Sequence, residues 1–549
     1  MKSIICLPLD FQKNSLGLQS LLEQEIDGAS VLYHTVSRLT LCDDYTVVLL
    51  IEAGPEADRI AAKARELLGA LHYEAVISGA RDVPNREFLR RARLWSIRSW
   101  RGGLGSASWY DEAGSPAAMN EAAGRFGAEA VGLMMPDSPY ADPHLTSKLF
   151  AWHYEHARNA RVTLTGVCPG LVPVVFASDL LKSLADQNLT LAAALAYRAN
   201  QPQRDLTATE AHFEAPLELR LAPWRLTAHS PRQLDLIRAL VALGTSPRSA
   251  SATDVVHALA AHPELWPGRF PAKLEIEPTM RIDAAPSYLK RITNMRGASD
   301  LDLGAFRRMI EPLGAARDVV VSLQGLGEPL LNPALDMMVS SAKKAGIMGV
   351  HVGTYGRLLD ESFLAALSAA HLDVLSVHLG AGTPSTYRAL FGVDGLESVK
   401  SQLEGAFARR AASQSVTWPI FVAEIAKMRS VEAEIEPFFD YWLSHCDWPA
   451  IRPYNDFAGQ VDDLATIHMR TSSRIPCRKV FEELYIDAEG IAYPCRQDIR
   501  RTHPLGSAVE EGIEGVWRCA FMERLRAAQL AGDYDLFPLC RNCKDWYYV

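Results

Sequence analysis

Residues 319–353 read VVVSLQGLGEPLLNPALDMMVSSAKKAGIMGVHVG. The run 319–323 is apolar and β-branched, which predicts a strand buried on both faces. Residues 331–345 carry the period of a helix, and 348–353 turn apolar and extended again. Strand, helix, strand at this spacing is a βα unit, and its two strands pair in parallel. Working outward, 273–276 predicts the strand before it. Residues 361–370 predict a helix and 374–379 a further strand after it. The βα rhythm from about 272 to 465 predicts an open or closed parallel α/β barrel.

The chain before this region alternates in the same way. Residues 45–51 (YTVVLLI) and 130–135 (AVGLMM) predict buried parallel strands, and a helical pattern at 234–243 closes a first α/β domain at about 255. A Pro-containing segment, 262–271, links the two regions. At roughly 150 residues per domain, 549 residues suggest three or four domains. The composition, 48% hydrophobic and 22% charged, is that of a globular protein. A net charge of −9 argues against a nucleic-acid surface, which needs a basic stripe. No stretch of about 20 apolar residues predicts a membrane span. The N-terminus begins like a signal peptide but reaches Asp10 early and has no small-residue cleavage site. It predicts a first buried strand of a cytoplasmic protein. The basic run Arg90-Arg-Ala-Arg93, with Arg98 and Arg101, reads as a solvated helix face, and Trp95, Trp100 and Trp109 read as core.

Nine cysteines are present, and five fall in the last 73 residues. Such clustering points to metal or cluster ligation rather than a disulfide framework. Cys540-Arg-Asn-Cys543 is a C-x-x-C pair, whose two thiolates leave one tight turn toward a shared metal. Cys477 and Cys495 add two more. Between them, residues 487–495 read as a hairpin with Gly490 at the turn, a strand, and Cys495 at its end. Four thiolates hold zinc or an iron–sulfur cluster equally well by spacing, and buried structural cysteines are the third reading.

The wider text resembles SPASM domains. Cys477, Gly490 and Cys495 are followed by Pro504-Leu505-Gly506, Gly515-Val516-Trp517, Leu525-Arg526 and Cys540-x-x-Cys543. Such domains end many radical S-adenosylmethionine (SAM) enzymes and carry auxiliary four-iron four-sulfur clusters. The resemblance implies one cluster on Cys477, Cys495, Cys540 and Cys543, with Cys519 a small helix residue. The C-terminal residues Trp546-Tyr-Tyr-Val549 are expected to pack over this domain.

The preceding region resembles a radical SAM barrel. Residues 270–279 (FPAKLEIEPT) look like its first strand. Gly325-Leu-Gly327-Glu328-Pro329 resembles the glycine-rich turn that, in such enzymes, hydrogen-bonds the amino group of SAM. Thr354-Tyr-Gly356 stands where many members read Thr-Asn-Gly, and residues 383–392 also follow the family. The family's C-x-x-x-C-x-x-C is absent: Ile282, Pro286 and Leu289 occupy the three positions, and none can ligate iron. The usual Ser and Asp of the fourth strand read His378 and Gly380. This implies a pseudo-radical-SAM barrel, with the Gly325–Glu328 turn either a residual SAM contact or a structural loop.

The first domain resembles nucleotidyltransferases of the cytidylyltransferase type. Residues 28–39 look like the family's first helix, 226–237 like its closing segment, and Pro136-Asp137-Ser138-Pro139 like the Asp-x-Pro segment that holds Mg²⁺. The triphosphate loop is reduced to residues 8–17, with one Lys and one Gly. The second metal-binding Asp is His229, a poor ligand for a hard cation. The order of the regions resembles spiro-SPASM proteins: a nucleotidyltransferase-like domain at 1–255, a radical-SAM-like partial barrel at 270–465, and a SPASM domain at 470–549. The expectation is a cytoplasmic iron–sulfur protein on two degenerate enzyme domains. Its cluster would serve electron transfer, structure or binding of a protein or small-molecule partner. The alternatives are a sugar cytidylyltransferase for surface polysaccharide, with a structural cluster, and a radical SAM enzyme with displaced ligands.

Overall fold

A computed structural model describes residues 2–79, 95, 114–156, 161–191, 212–220, 224–413, 419–467 and 474–546. The basic residues Arg90, Arg91, Arg93, Arg98 and Arg101, with Trp100 and Trp109, lie outside the described residues, as do Tyr547, Tyr548 and Val549. The chain divides into two compact units, Met1–Trp266 and Pro267–Val549. Among the described residues no helix is long and apolar enough to cross a membrane.

The first unit is built on strand β1 (Ser3–Pro8), whose first five residues are all buried. A short ribbon, β2 (Glu25–Ile26) and β3 (Ala29–Ser30), stands apart from the main sheet. The main sheet continues with β4 (Thr46–Glu52), β5 (Glu74–Ser78), β6 (Ala130–Leu133), β7 (Val162–Thr165), β8 (Val174–Ala177) and β9 (His212–Phe213). Its order is β5-β4-β1-β6-β8-β7-β9. Parallel pairs join β1 to β4 and to β6, and β8 runs antiparallel between β6 and β7. The chain moves from β1 outward to β5, then returns to place β6 on the other side. A crevice outside the carboxyl ends of β1 and β6 is where such sheets bind ligands. The helix Val31–Leu39 is capped by Ser30, as the resemblance to a first helix implied. Its Arg38 is buried and donates to the carbonyl oxygens of Ala141, Pro247 (2.8 Å) and Ala250 (2.7 Å).

The second unit carries a nine-stranded sheet. Six strands follow chain order: β10 (Lys273–Ile276), β11 (Val320–Leu323), β12 (Gly349–Thr354), β13 (Val374–His378), β14 (Ile420–Lys427) and β15 (Trp448–Pro453). Each pairs in parallel with the next, as the βα rhythm predicts. On the other side of β10 lie three strands of the tail: β16 (Glu483–Ile486), β17 (Ile491–Tyr493) and β18 (Gly506–Ser507). Strand β16 pairs in parallel with β10, so the cysteine-rich tail shares the barrel's sheet. The predicted hairpin forms between β16 and β17, with Gly490 at φ 78°.

One helix starts later than expected. Residues 332–334 are not helical, and the α-helix runs Leu335–Lys344. Pro329 and Pro333 restrict the preceding backbone, and a 3-10 turn spans Pro329–Leu331. The Asn332 side chain anchors this turn by donating to the carbonyl of Pro278 at 2.7 Å.

The Arg38 contacts generate a stability prediction for the first unit. Arg38→Met leaves three buried carbonyl oxygens without that donor and lowers stability by about 3 kcal/mol, read as a lower denaturant midpoint for that unit's unfolding transition. An unchanged midpoint would contradict the role given to Arg38.

Candidate metal centre and the barrel mouth

All four predicted thiols line one pocket. Cys477 precedes the helical turn Lys479–Glu482, and Cys495 follows β17. Cys540 lies in the short helix Pro538–Asn542 and Cys543 caps its end. Val480, Leu484, Phe537, Leu539 and Trp546 supply apolar wall, so Trp546 does pack over the tail. Among the described residues no three His, Cys, Asp or Glu side chains converge as ligands of a single ion; the thiols stand around the pocket. Four thiols are a donor set that fits a four-thiolate iron–sulfur cluster or zinc.

Burial dominates the electrostatics. It pushes Cys540 and Cys543 up to about 12, raises Cys477, and lifts Cys495 well above the usual thiol range with help from neighbouring Cys540 and Cys543. Lys479 opposes this at Cys477, and Arg474 does so at Cys540. A bound cation reverses this logic, because it takes the thiolate form directly. Lys479 is itself paired with Asp545, which also accepts from the Gln497 amide at 2.9 Å. Arg474 donates to the Cys540 carbonyl at 2.7 Å and lies over the Tyr534 ring.

The Gln529 amide donates to Cys540 Sγ and the Asp545 backbone N–H to Cys543 Sγ, both at 3.3 Å, while the backbone N–H groups of Lys479 and Gln497 favour the thiolates of Cys477 and Cys495. Sequence reasoning missed Gln529. One signal was available, since Met522, Leu525, Arg526 and Gln529 share the buried face of the helix Ala520–Leu530 at helical spacing. Cys519 sits at that helix's N-terminal cap and does not line the pocket.

The residues resembling a SAM turn lie at the carboxyl end of β11 and close on one another. Glu277, just past β10, is fully buried. Its Oε1 accepts from the backbone N–H groups of Leu326 and Gly327, both at 2.9 Å, and from Arg296 Nη1 at 2.7 Å. Its Oε2 accepts from Tyr485 at 3.0 Å and from Arg296. A Cβ on Gly325 would lie 2.5 Å from this side chain, and one on Gly327 would lie 1.9 Å from the Thr279 carbonyl oxygen. Close approach therefore accounts for both glycines. Glu328, also fully buried, accepts from Leu330 N (3.1 Å), Thr354 Oγ1 (2.6 Å) and Tyr355 N (2.9 Å).

The three degenerate positions are apolar in space as well as in sequence. Leu289 packs in a buried cluster with Ile292, Leu326, Phe457 and Ile499. Pro286 is buried and Ile282 half-buried. Further along the mouth, His378 and Arg452 both contact buried Glu424, at 2.5 and 2.6 Å. Burial alone would push the Glu424 carboxyl up, but Arg452 and His378 together hold it well below the usual range. Gly380 has φ 70°.

In the first unit Asp137 follows β6 at the crevice and is buried. Its carbonyl accepts from Ala228 N at 2.7 Å, which brings the 226–229 segment beside it. Burial raises the Asp137 carboxyl to about 6, and among the described residues its Oδ1 has no hydrogen-bond partner. His229 Nδ1 lies 2.8 Å from Thr227 Oγ1. In the loop after β1, Asp10 accepts from Gln12 N and Lys13 N, and Asn14 from Leu16 N and Leu18 N. Those N–H groups are thus committed internally.

Sheet and pocket together define a parallel α/β protein with a four-thiol site at one end of its second sheet. Residues 477–544 match the family model of SPASM, an iron–sulfur cluster-binding domain, and the tail carries that domain. A probable GTP 3′,8-cyclase of Methanothermobacter thermautotrophicus is 33% identical over 142 residues, 25% of this chain and 45% of that protein. Among solved structures, BtrN in complex with AdoMet and 2-DOIA is 17% identical with a TM-score of 0.35, over 50% of this chain and 92% of that one. A cytidylyltransferase from Leptospira borgpetersenii is 14% identical with a TM-score of 0.34, over 48% of this chain and 96% of that one.

The Glu328 environment yields a pH prediction. Burial raises its carboxyl to about 7 despite the three hydrogen bonds that favour the charge. The folded protein therefore keeps this proton where the unfolded chain, near pH 4.5, has released it. That contribution is complete below about pH 4.5 and is lost as pH rises through about 7, a change of about 3 kcal/mol. The stability difference between wild type and Glu328→Gln, measured by denaturation from pH 4.5 to 8, should slope downward with pH. A flat difference would contradict the assignment.

Proposed function

We propose that this is an iron–sulfur protein with one four-iron four-sulfur cluster, held by Cys477, Cys495, Cys540 and Cys543, and a barrel that does not cleave SAM. The observation that carries the reading is the apolar cluster around Leu289. It fills the place that the radical SAM resemblance assigns to three thiolates. When bound, the cluster supplies a one-electron redox centre. The chain's own residues do the rest. Phe537, Leu539 and Trp546 exclude water from the pocket, and Lys479 and Arg474 favour the thiolate forms of Cys477 and Cys540. Cys495 and Cys543 are only half-buried, which puts the site within reach of an electron-exchanging protein or small molecule. At the barrel mouth, Arg296 and Tyr485 hold the Glu277 carboxylate over the glycine turn.

Two measurements test this. Cys540→Ala/Cys543→Ala should reduce bound iron to background while the first unit's unfolding transition is kept. Incubation of the reduced wild type with SAM should give no 5′-deoxyadenosine. Iron retained by the variant, or deoxyadenosine formed by the wild type, would overturn the proposal.

A second reading concerns the first unit alone. The unpartnered Oδ1 of buried Asp137, at the crevice of a doubly wound sheet, favours a cation-dependent nucleotidyltransferase. It expects CTP-dependent pyrophosphate release that Asp137→Ala abolishes. No release with any sugar acid or sugar phosphate would remove it.

A further inference from the structure

Gln529 is fully buried, yet neither end of its amide is spent on its own helix. The Nε2 donates to Cys540 Sγ at 3.3 Å, and the Oε1 accepts from the Cys477 backbone N–H at 3.1 Å. One side chain therefore ties together two thiol residues that are far apart in sequence. A glutamine kept only for packing would leave a polar amide to be satisfied at a cost of about 1–3 kcal/mol, with no reason to choose these two partners. The Asp545 bond to Cys543 Sγ comes from the backbone and follows from the turn itself. The Gln529 bond depends on its side chain.

We infer that Gln529 is a positioning residue of the tail's redox centre: it fixes the spacing of Cys477 and Cys540 and sets the centre's reduction potential through its N–H···S bond. The inference rests on the proposed cluster. Reduction adds one electron, and so negative charge, to the cluster and its sulfurs. A donor aimed at a ligand sulfur stabilises that form and raises the potential.

Gln529→Met removes both bonds at similar size. Gln529→Glu keeps an acceptor for the Cys477 N–H and replaces the donor by a carboxylate oxygen. Both are purified anaerobically as full chains, assayed for iron, and titrated by electron paramagnetic resonance. The expected result is a lower midpoint potential in both, with iron retained better in Gln529→Glu than in Gln529→Met. Wild-type iron and wild-type potential in both variants would overturn the inference. If either variant fails to fold, the test moves to reduced Gln497→Met protein labelled with ¹⁵N in glutamine side chains. A weakly coupled ¹⁵N in its pulsed spectrum supports the contact, and its absence overturns it. A wild type without iron is a separate outcome: it sinks the cluster itself, and the same metal assay reveals it.

Discussion

Glu277 is a carboxylate without access to water, and the second unit is organised around neutralising it. Arg296 chelates it, Tyr485 donates to it, and the backbone N–H groups of Leu326 and Gly327 complete its shell. These partners come from three places: the turn after β11, strand β16 of the tail, and the segment at Arg296 that follows a short helical stretch. Removing one partner of such a buried pair costs about 3–5 kcal/mol, because the remaining charge is stranded. Gly325 follows from the same constraint, since a Cβ there would collide with the Glu277 side chain.

That constraint also joins the tail to the barrel. With Tyr485 on Glu277 and β16 paired to β10, the four-thiol pocket is built onto the first barrel strand. Glu275 of β10 lines the pocket, and Arg496, next to Cys495, lies 3.5 Å from it. A polar tier continues across the sheet: Gln324 donates to Glu275, His351 bridges Ser322 and Ser376, and His378 meets Glu424. Parallel strands are usually apolar on both faces, and this tier departs from that pattern.

Much of this was legible in sequence because it is local. The C-x-x-C spacing, the Gly490 turn and the apolar strand runs each fix structure within a few residues, and they pointed to the four thiols and to β10 to β13. The helix at Leu335–Lys344 starts four residues later than its apolar period suggests, because Pro333 and the turn before it restrict the backbone there. What could not be read is long-range. Nothing near Glu277 announces Tyr485, and nothing near Leu289 announces Phe457 or Ile499. Gln529 is a polar residue on a buried helical face, which marks it as partnered but not by whom. In the first unit the Asp137 segment and the 226–229 segment were each legible, whereas their hydrogen bond required the fold.

The central claim is that the tail holds the protein's one cluster while an apolar plug and a buried ion pair close the barrel mouth. Iron and acid-labile sulfide counted per chain after anaerobic purification address it most directly. The account predicts about four of each, the content of a single four-thiolate cluster. About eight of each would require a second cluster, which Ile282, Pro286 and Leu289 cannot ligate, and would contradict it.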